Sequence, residues 1–175
     1  MNEHRSDDEG STPPIRSAAA SIAVLDIDGV VADVRHRLHH IESRPKRWDR
    51  FFSAAVDDAP LQEGVRLAAD LAWHHEIVWL TGRPSWLRTV TRQWLERHEL
   101  PGHELHMRGS SDYRPAPVFK LGVLEKLGTR EIAAFVDDAS DVIQAALAAG
   151  YPAVFADWLP RARALRDAQD RLGRS

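Results

Sequence analysis

Asp26 and Asp28 stand at the end of an apolar run, Ile22-Ala23-Val24-Leu25-Asp26-Ile27-Asp28-Gly29-Val30-Val31, so two carboxylates emerge where a buried strand should surface. Side chains alternate along a strand, which puts both acids on one face and Ile27 on the other. Two acids at that spacing can divide the work of phosphoryl transfer: one attacks phosphorus, and the other gives a proton to the leaving oxygen. Gly29 then lets the chain turn sharply.

Two further strand ends supply partners. After Ile77-Val78-Trp79-Leu80 comes Thr81-Gly82-Arg83-Pro84-Ser85, where a hydroxyl and free backbone amides precede a helix, an arrangement suited to an anion. Thr81 is placed to hold a phosphoryl oxygen. After Ile132 to Val136 comes Asp137-Asp138-Ala139-Ser140-Asp141. Asp141 alone reads as a helix cap, whereas the Asp137 and Asp138 pair reads as part of a site. If adjacent strands gather Asp26, Asp28, Asp137 and Asp138, each close pair repels by about 4 kcal/mol at ~4 Å and an effective dielectric near ~20, and a cation is needed. Oxygen ligands without His or Cys favour Mg2+. Lys120, one of three lysines with Lys46 and Lys126, opens a helix after the Pro115-Ala116-Pro117 turn, where it can neutralise acids and incoming phosphate together with the metal. Asp28 must then stay protonatable, with its side chain towards the leaving group and away from the metal.

These residues need a scaffold that brings strand ends together. Short apolar runs at Ile22–Ile27, Glu76–Leu80, Glu104–Met107, Ile132–Val136 and Ala153–Phe155 alternate with helical spacing at Val65-Leu67-Ala68-Leu71-Ala72, Trp86-Val90-Trp94, Val118-Leu121-Leu124-Leu127 and Val142-Ile143-Ala146-Leu147. The alternation predicts an α/β, Rossmann-like, three-layer fold with a parallel sheet and helices on both faces. The long interval from Val31 to His75 predicts a small helical insert at about 33–60, with Trp48, Phe51, Phe52 and Val56 on one face, serving either as a cap over the site or as filling for the sheet edge. Trp73, Trp79, Trp86 and Trp94 read as core packing, Asp57-Asp58-Ala59-Pro60 as a turn into the next helix, and His74-His75 as a helix end without a metal role.

The chain of 175 residues suits one domain. Residues 1–20 read as a disordered tail, 21–175 as a single domain closing on an amphipathic helix from Pro160 to Leu172. A net charge of -3 gives no general attraction to nucleic acid. A local basic stretch of Arg35, Arg37, Arg44, Lys46, Arg47 and Arg50 reads as either a solvated helical face or a phosphate-binding surface. The absence of cysteine excludes disulfides, thiolate metal sites and a thiol nucleophile and fits a reducing compartment. With no secretory signal and no run long enough to span a bilayer, the expectation is a soluble, cytoplasmic protein that needs no membrane and no obligate protein partner.

In order, Asp26-Ile27-Asp28-Gly29-Val30, Thr81-Gly82-Arg83, Lys120 and Asp137-Asp138 resemble the motifs of the haloacid dehalogenase superfamily of phosphohydrolases, over Ile22 to about Phe155. The resemblance implies Asp26 as the nucleophile that forms an aspartyl-phosphate, Asp28 as general acid and then base, Thr81 and Lys120 on the phosphoryl group, and Mg2+ held by Asp26, the Asp28 backbone carbonyl and Asp137 or Asp138. It also implies five parallel strands in the order 5-4-1-2-3. Within the superfamily the chain is similar to the 3'-phosphatase domain of polynucleotide kinase-phosphatases, through Asp33-Val34-Arg35-His36-Arg37-Leu38-His39, Trp48-Asp49-Arg50-Phe51-Phe52, Thr81-Gly82-Arg83-Pro84, and Met107-Arg108 with Asp112-Tyr113-Arg114-Pro115. That likeness implies substrate contacts from Arg37 and Arg83, to which Gly82 and Arg35 are added as neighbours of the phosphate. Ala116 stands where relatives usually carry an acid before the lysine, and no Gly-rich loop with Lys-Ser/Thr is present for a kinase. The implied substrate is a phosphorylated nucleotide or nucleic-acid end. A phosphatase for mononucleotides or small metabolites is the alternative, and a receiver-like phospho-accepting module is the alternative of another class.

Overall fold

The computed structural model describes residues 21–42 and 44–159; the expected tail over 1–20 and helix from Pro160 to Leu172 lie outside the described residues. The first strand, β1 (Ile22–Leu25), is buried along its whole length. It pairs in parallel with β4 (Glu76–Pro84) on one side and β6 (Ile132–Asp137) on the other. Outside these lie β5 (Glu104–Arg108) and β7 (Ala153–Phe155), giving the order β5-β4-β1-β6-β7. Counting only these five strands along the chain, this is the 5-4-1-2-3 order.

Alternation along β1 divides the core into two layers. Ala23 and Leu25 join Ile77 and Trp79 against α3 (Gln62–Ala72), α4 (Arg88–Arg97) and α2 (Trp48–Ser53). Ile22 and Val24 join Val78, Leu80 and Phe135 against α5 (Ala116–Leu127) and α6 (Ser140–Ala148). A strand covered on both faces must be apolar at every position, which is why β1 carries no polar residue before Asp26. α3 approaches closely because Gly64 has no side chain: a Cβ there would lie 1.9 Å from the Val30 carbonyl oxygen.

The insert is bracketed by a short antiparallel pair, β2 (Ala32–Asp33) with β3 (Ala59–Pro60). Between them lie a 3-10 turn (Arg35–Arg37), α1 (His39–Glu42), α2 and a second 3-10 turn (Ala54–Asp57). Phe51, Phe52, Trp48, Ile41 and Leu38 merge with the core on the α3/α4 side.

The structure departs from the sequence expectations at several positions. β4 runs on through Thr81-Gly82-Arg83 to Pro84, so this segment is extended strand and not a loop before a helix; its pairing to β5 shifts register between Thr81 and Pro84. Trp79 and Trp94 are fully buried, but Trp73 and Trp86 are 82% and 55% exposed. Trp73 follows the last turn of α3 and falls off its buried stripe, and Trp86 sits in the turn beyond β4. Val118 and Leu147 also face water, since α5 buries Phe119, Lys120, Leu124 and Leu127, and α6 buries Val142, Ile143 and Ala146. Among the described residues, no helix is long and apolar enough to cross a membrane.

Candidate active site

Asp26 continues the alternation of Ile22 and Val24 and therefore faces α5, from which Lys120 reaches back to the sheet. Lys120 Nζ lies 2.6 Å from Asp26 Oδ2 and 2.5 Å from Asp137 Oδ2, with all three groups buried. Asp138 stands beside them, and Asp26, Asp137 and Asp138 can each present a carboxylate oxygen within 4.8 Å of the others. Their backbone settings are defined: Asp26 Oδ1 accepts from the Ile27 amide at 2.7 Å, and Asp137 Oδ1 accepts from the Ala139 amide at 2.9 Å. Gly29, at φ 79°, yields space to this cluster, since a Cβ there would fall 2.2 Å from Asp138 Oδ2.

The electrostatics follow from three acids and one lysine out of water. Burial, reinforced by Asp137 and Asp28, pushes Asp26 up to about 6 against the pull of Lys120. Burial works against the charge on Lys120, yet Asp137 and Asp26 hold it protonated well above the ordinary lysine value. The three carboxylates offer an all-oxygen donor set of the kind that suits a hard divalent cation.

Asp28 turns away from that trio. Its Oδ1 accepts from Arg37 Nη2 at 2.9 Å, Arg83 Nε at 2.9 Å and Arg83 Nη2 at 2.6 Å. Although burial alone would raise it, these two guanidiniums hold Asp28 down at about 2. Where the sequence reading expected a protonatable Asp28, these contacts favour its carboxylate, because two charged donors stabilise the anion. Asp28 is not among the three acids whose carboxylate oxygens lie within 4.8 Å of one another.

Behind the arginines lies a residue that sequence reasoning read only as a turn. Asp58, 2% exposed, accepts from Arg37 Nε and Nη2 at 2.8 Å each, from Arg83 Nη2 at 2.7 Å, and pairs with His36 Nε2 at 2.8 Å. Two acids and two guanidiniums thus alternate in a closed network, with Arg37 stacked over Phe51 at 4.2 Å and the Asp58 carbonyl receiving the Trp94 indole N–H at 2.8 Å. The signal that could have found Asp58 is charge balance: two arginines brought inside require more than Asp28 alone.

The other expected residues are placed as follows. Thr81 is buried in β4, the strand next to β1, and its hydroxyl accepts from the Arg83 amide at 3.2 Å. Gly82 lines a cavity of about 260 Å³. Every nitrogen of the Arg37 guanidinium has a protein partner, so Arg37 acts on Asp28 and Asp58, whereas Arg83 Nη1 is buried without one. Arg35 is not brought into the site: its side chain is 65% exposed and clasps its neighbour Asp33 at 2.5 Å. That pairing within one turn, and not a substrate contact, is what its position two residues after Asp33 produces. Ala116 is fully buried in the α5 interface.

Set against known proteins, residues 20–154 match the family model described as polynucleotide kinase PNKP phosphatase domain. A solved chain from a Pnkp1/Rnl/Hen1 complex superposes with a TM-score of 0.65 at 19% identity, covering 79% of this chain and 46% of that one. A second structure of that assembly, described as an RNA repair complex, gives 0.64. The class C acid phosphatase of Bacillus anthracis, solved with tungstate bound, gives 0.56 at 16% identity, covering 87% and 80%. A protein of Halalkalibacterium halodurans named “Putative nucleotidase” is 31% identical over 67 residues, 38% of this chain and 29% of that protein. The chain thus spans less than half the length of the first two of these relatives.

Proposed function

The chain belongs to the haloacid dehalogenase superfamily of phosphoric monoester hydrolases, in the family of polynucleotide kinase PNKP phosphatase domains, and from that membership we propose that it is a Mg2+-dependent phosphatase that removes terminal 3'-phosphates from nucleic-acid ends through an aspartyl-phosphate. One observation carries the reading: buried Asp26 and Asp137 share Lys120, with Asp138 within 4.8 Å of both, on one side of the β1 end, while Asp28 sits between two arginines on the other.

Asp26 attacks phosphorus with a carboxylate oxygen, the ester bond breaks, and the leaving alkoxide takes a proton from Asp28. Water then attacks the aspartyl-phosphate, gives its proton to Asp28, and releases phosphate and free Asp26. Lys120, the Thr81 hydroxyl and the spare donors of Arg83 Nη1 hold the phosphoryl oxygens. Asp28 must gain a proton before the first step, and an arriving phosphate supplies the shift: its charge lies near the carboxylate and draws on the same guanidiniums, so both effects raise the proton affinity of Asp28. Asp26, Asp137 and Asp138, with the Asp28 backbone carbonyl, would hold Mg2+, which when bound neutralises charge on the phosphate and the acids. Residues 33–60 serve as a small cap that supplies Arg37 and Asp58, and the cysteine-free composition supports a cytoplasmic setting.

The family and the origin of the similar chain in an RNA repair complex favour polynucleotide ends; the nucleotidase name of the curated relative favours a second reading, a mononucleotide phosphatase. A phosphate-release screen with and without EDTA, across 3'-phosphorylated oligonucleotides and mononucleotides, tests both. Metal-dependent release from oligonucleotide ends is the expected result. Release that EDTA leaves untouched would refute the metal, and a wide preference for mononucleotides would refute the polynucleotide end.

A further inference from the structure

The cavity of about 260 Å³ beside Gly82 takes no part in the bond-making described above. One of its walls is Arg108, at the end of β5 in register with Pro84 of β4, which places it next to the Thr81-Gly82 segment. Arg108 is 4% exposed, lies over the Phe119 ring at 4.6 Å, and donates from Nη1 to the Arg114 carbonyl at 2.7 Å. Its Nε and Nη2 are buried with no hydrogen-bond partner. Those two nitrogens form the edge of a guanidinium that binds an acceptor pair side by side, and because both are enclosed the side chain must turn at its outer torsions to present them to the cavity. A buried donor pair without partners is rare enough in a folded protein to require a cause.

The other walls are aromatic. Trp48 and Phe52 come from the insert, and Trp86 and Tyr113 line the cavity while remaining 55% and 59% exposed. Phe52 braces Trp86 edge to face, with ring centroids 6.3 Å apart. Asp49 and Asp112 also contribute, the latter held by Arg114 at 2.6 Å, so the walls lack the cationic surface that a run of backbone phosphates would need. The space falls just under the ~300 Å³ at which pockets for drug-sized ligands begin, which is room for one ring system and its sugar. A flat ring surface, one bidentate donor edge and no excess positive charge describe a nucleoside unit.

We propose that this cavity seats the nucleoside that bears the scissile phosphate, its base stacked on Trp86 and Tyr113 and an acceptor of the sugar or ester drawing the enclosed Nε and Nη2 edge of Arg108 towards it. The proposal rests on the phosphatase reading and adds to it where the specificity resides. Specificity then comes from the last nucleoside, with the remainder of an oligonucleotide outside.

The test compares kcat and KM of the full chain on four substrates: a 3'-phosphorylated oligonucleotide, the same oligonucleotide with its terminal base removed, a 3'-mononucleotide and glycerol 2-phosphate. Base stacking contributes about 1–3 kcal/mol, or roughly 5- to 150-fold, so the intact end is expected to exceed the abasic end about tenfold in kcat/KM, mainly through KM. Trp86→Ala should collapse that ratio towards one. Arg108→Gln should raise KM on both nucleoside substrates, and Arg108→Lys, which keeps the charge over Phe119 and so the melting temperature, should not restore it because an ammonium lacks the paired edge. Active enzyme with no base preference, or a preference that survives Trp86→Ala, overturns the proposal and leaves the phosphatase reading standing. Should no substrate release phosphate, the phosphatase reading falls, and quenching of tryptophan fluorescence by adenosine 3'-monophosphate still decides the cavity: quenching lost in Trp86→Ala supports it, and no quenching in the wild type refutes it.

Discussion

Asp58→Asn removes one of two carboxylates from the buried network while keeping its shape. In the native protein, Asp28 and Asp58 face Arg37 and Arg83, so two negative charges meet two positive ones with donor-acceptor distances of 2.6 to 2.9 Å. After the substitution one carboxylate serves both guanidiniums, and one buried positive charge is left without compensation. Breaking a buried pair by removing one partner costs about 3–5 kcal/mol. The asparagine carbonyl still accepts one hydrogen bond, which places the expected loss near the low end, about 3 kcal/mol. In a chain of this size each 1 kcal/mol moves the midpoint by about 2–4 °C, so melting should fall by roughly 6–12 °C. Thermal unfolding followed by circular dichroism at neutral pH in EDTA reads this directly. Arg37→Met beside Asp58→Asn restores neutrality, because Arg83 and Asp28 remain as a pair, and the double variant should lose markedly less than the sum of the two single losses. An Asp58→Asn midpoint within ~1 °C of the wild type, or strict additivity in the double variant, would refute the claim that Asp58 balances the arginines.

Asp26→Asn should abolish phosphate release while retaining the fold, as read by activity and circular dichroism together. Its removal also isolates a pH effect. The Asp26 carboxyl is raised from 3.8 to about 6, so its contribution to stability is fully present below about 3.8 and is lost as pH rises through about 6. Metal-free wild type should therefore lose stability relative to Asp26→Asn between those values, and parallel urea midpoints across the window would sink the assignment. Lys120→Met leaves Asp26 and Asp137 without their shared ammonium; metal-free protein should lose about 3–5 kcal/mol in denaturant unfolding, and added Mg2+ should recover more stability than it does in the wild type. Gly29→Ala combines a strained φ of 79° with a Cβ that meets Asp138 Oδ2 at 2.2 Å, so a melting midpoint reduced by several degrees, together with weaker metal-dependent stabilisation, is expected.

Contact range separates what the residues announce locally from what only folding decides. The two-sided burial of β1 and the gathering of Asp26, Asp137, Asp138 and Lys120 at one sheet rim were legible, because hydrophobic period is local and parallel sheets bring successive strand ends to one edge, whereas the strand order came only with the family resemblance. The limits of β4 were not: Thr81-Gly82-Arg83 has the composition of a turn, yet pairing with β5 at Thr81 and Pro84 holds it extended. Trp73 and Trp86 show the same limit, since hydrophobicity alone does not say whether a ring lies on the buried stripe or one residue past it.

The chemistry of the cluster follows from residue types and their strand-end positions alone, since four carboxylates beside a scarce lysine admit few uses. Which partners surround each carboxylate, and so its charge, is set by tertiary contacts. Asp28 meets Arg37 nine residues away and Arg83 fifty-five away, and these contacts make it an anion at rest. Asp58 owes its role to the same two partners, across 21 and 25 residues. Protonation state, charge balance and the unpartnered edge of Arg108 are properties of what surrounds a group in three dimensions; no local pattern encodes them, because the field at a buried atom is summed over neighbours that the chain brings together only on folding.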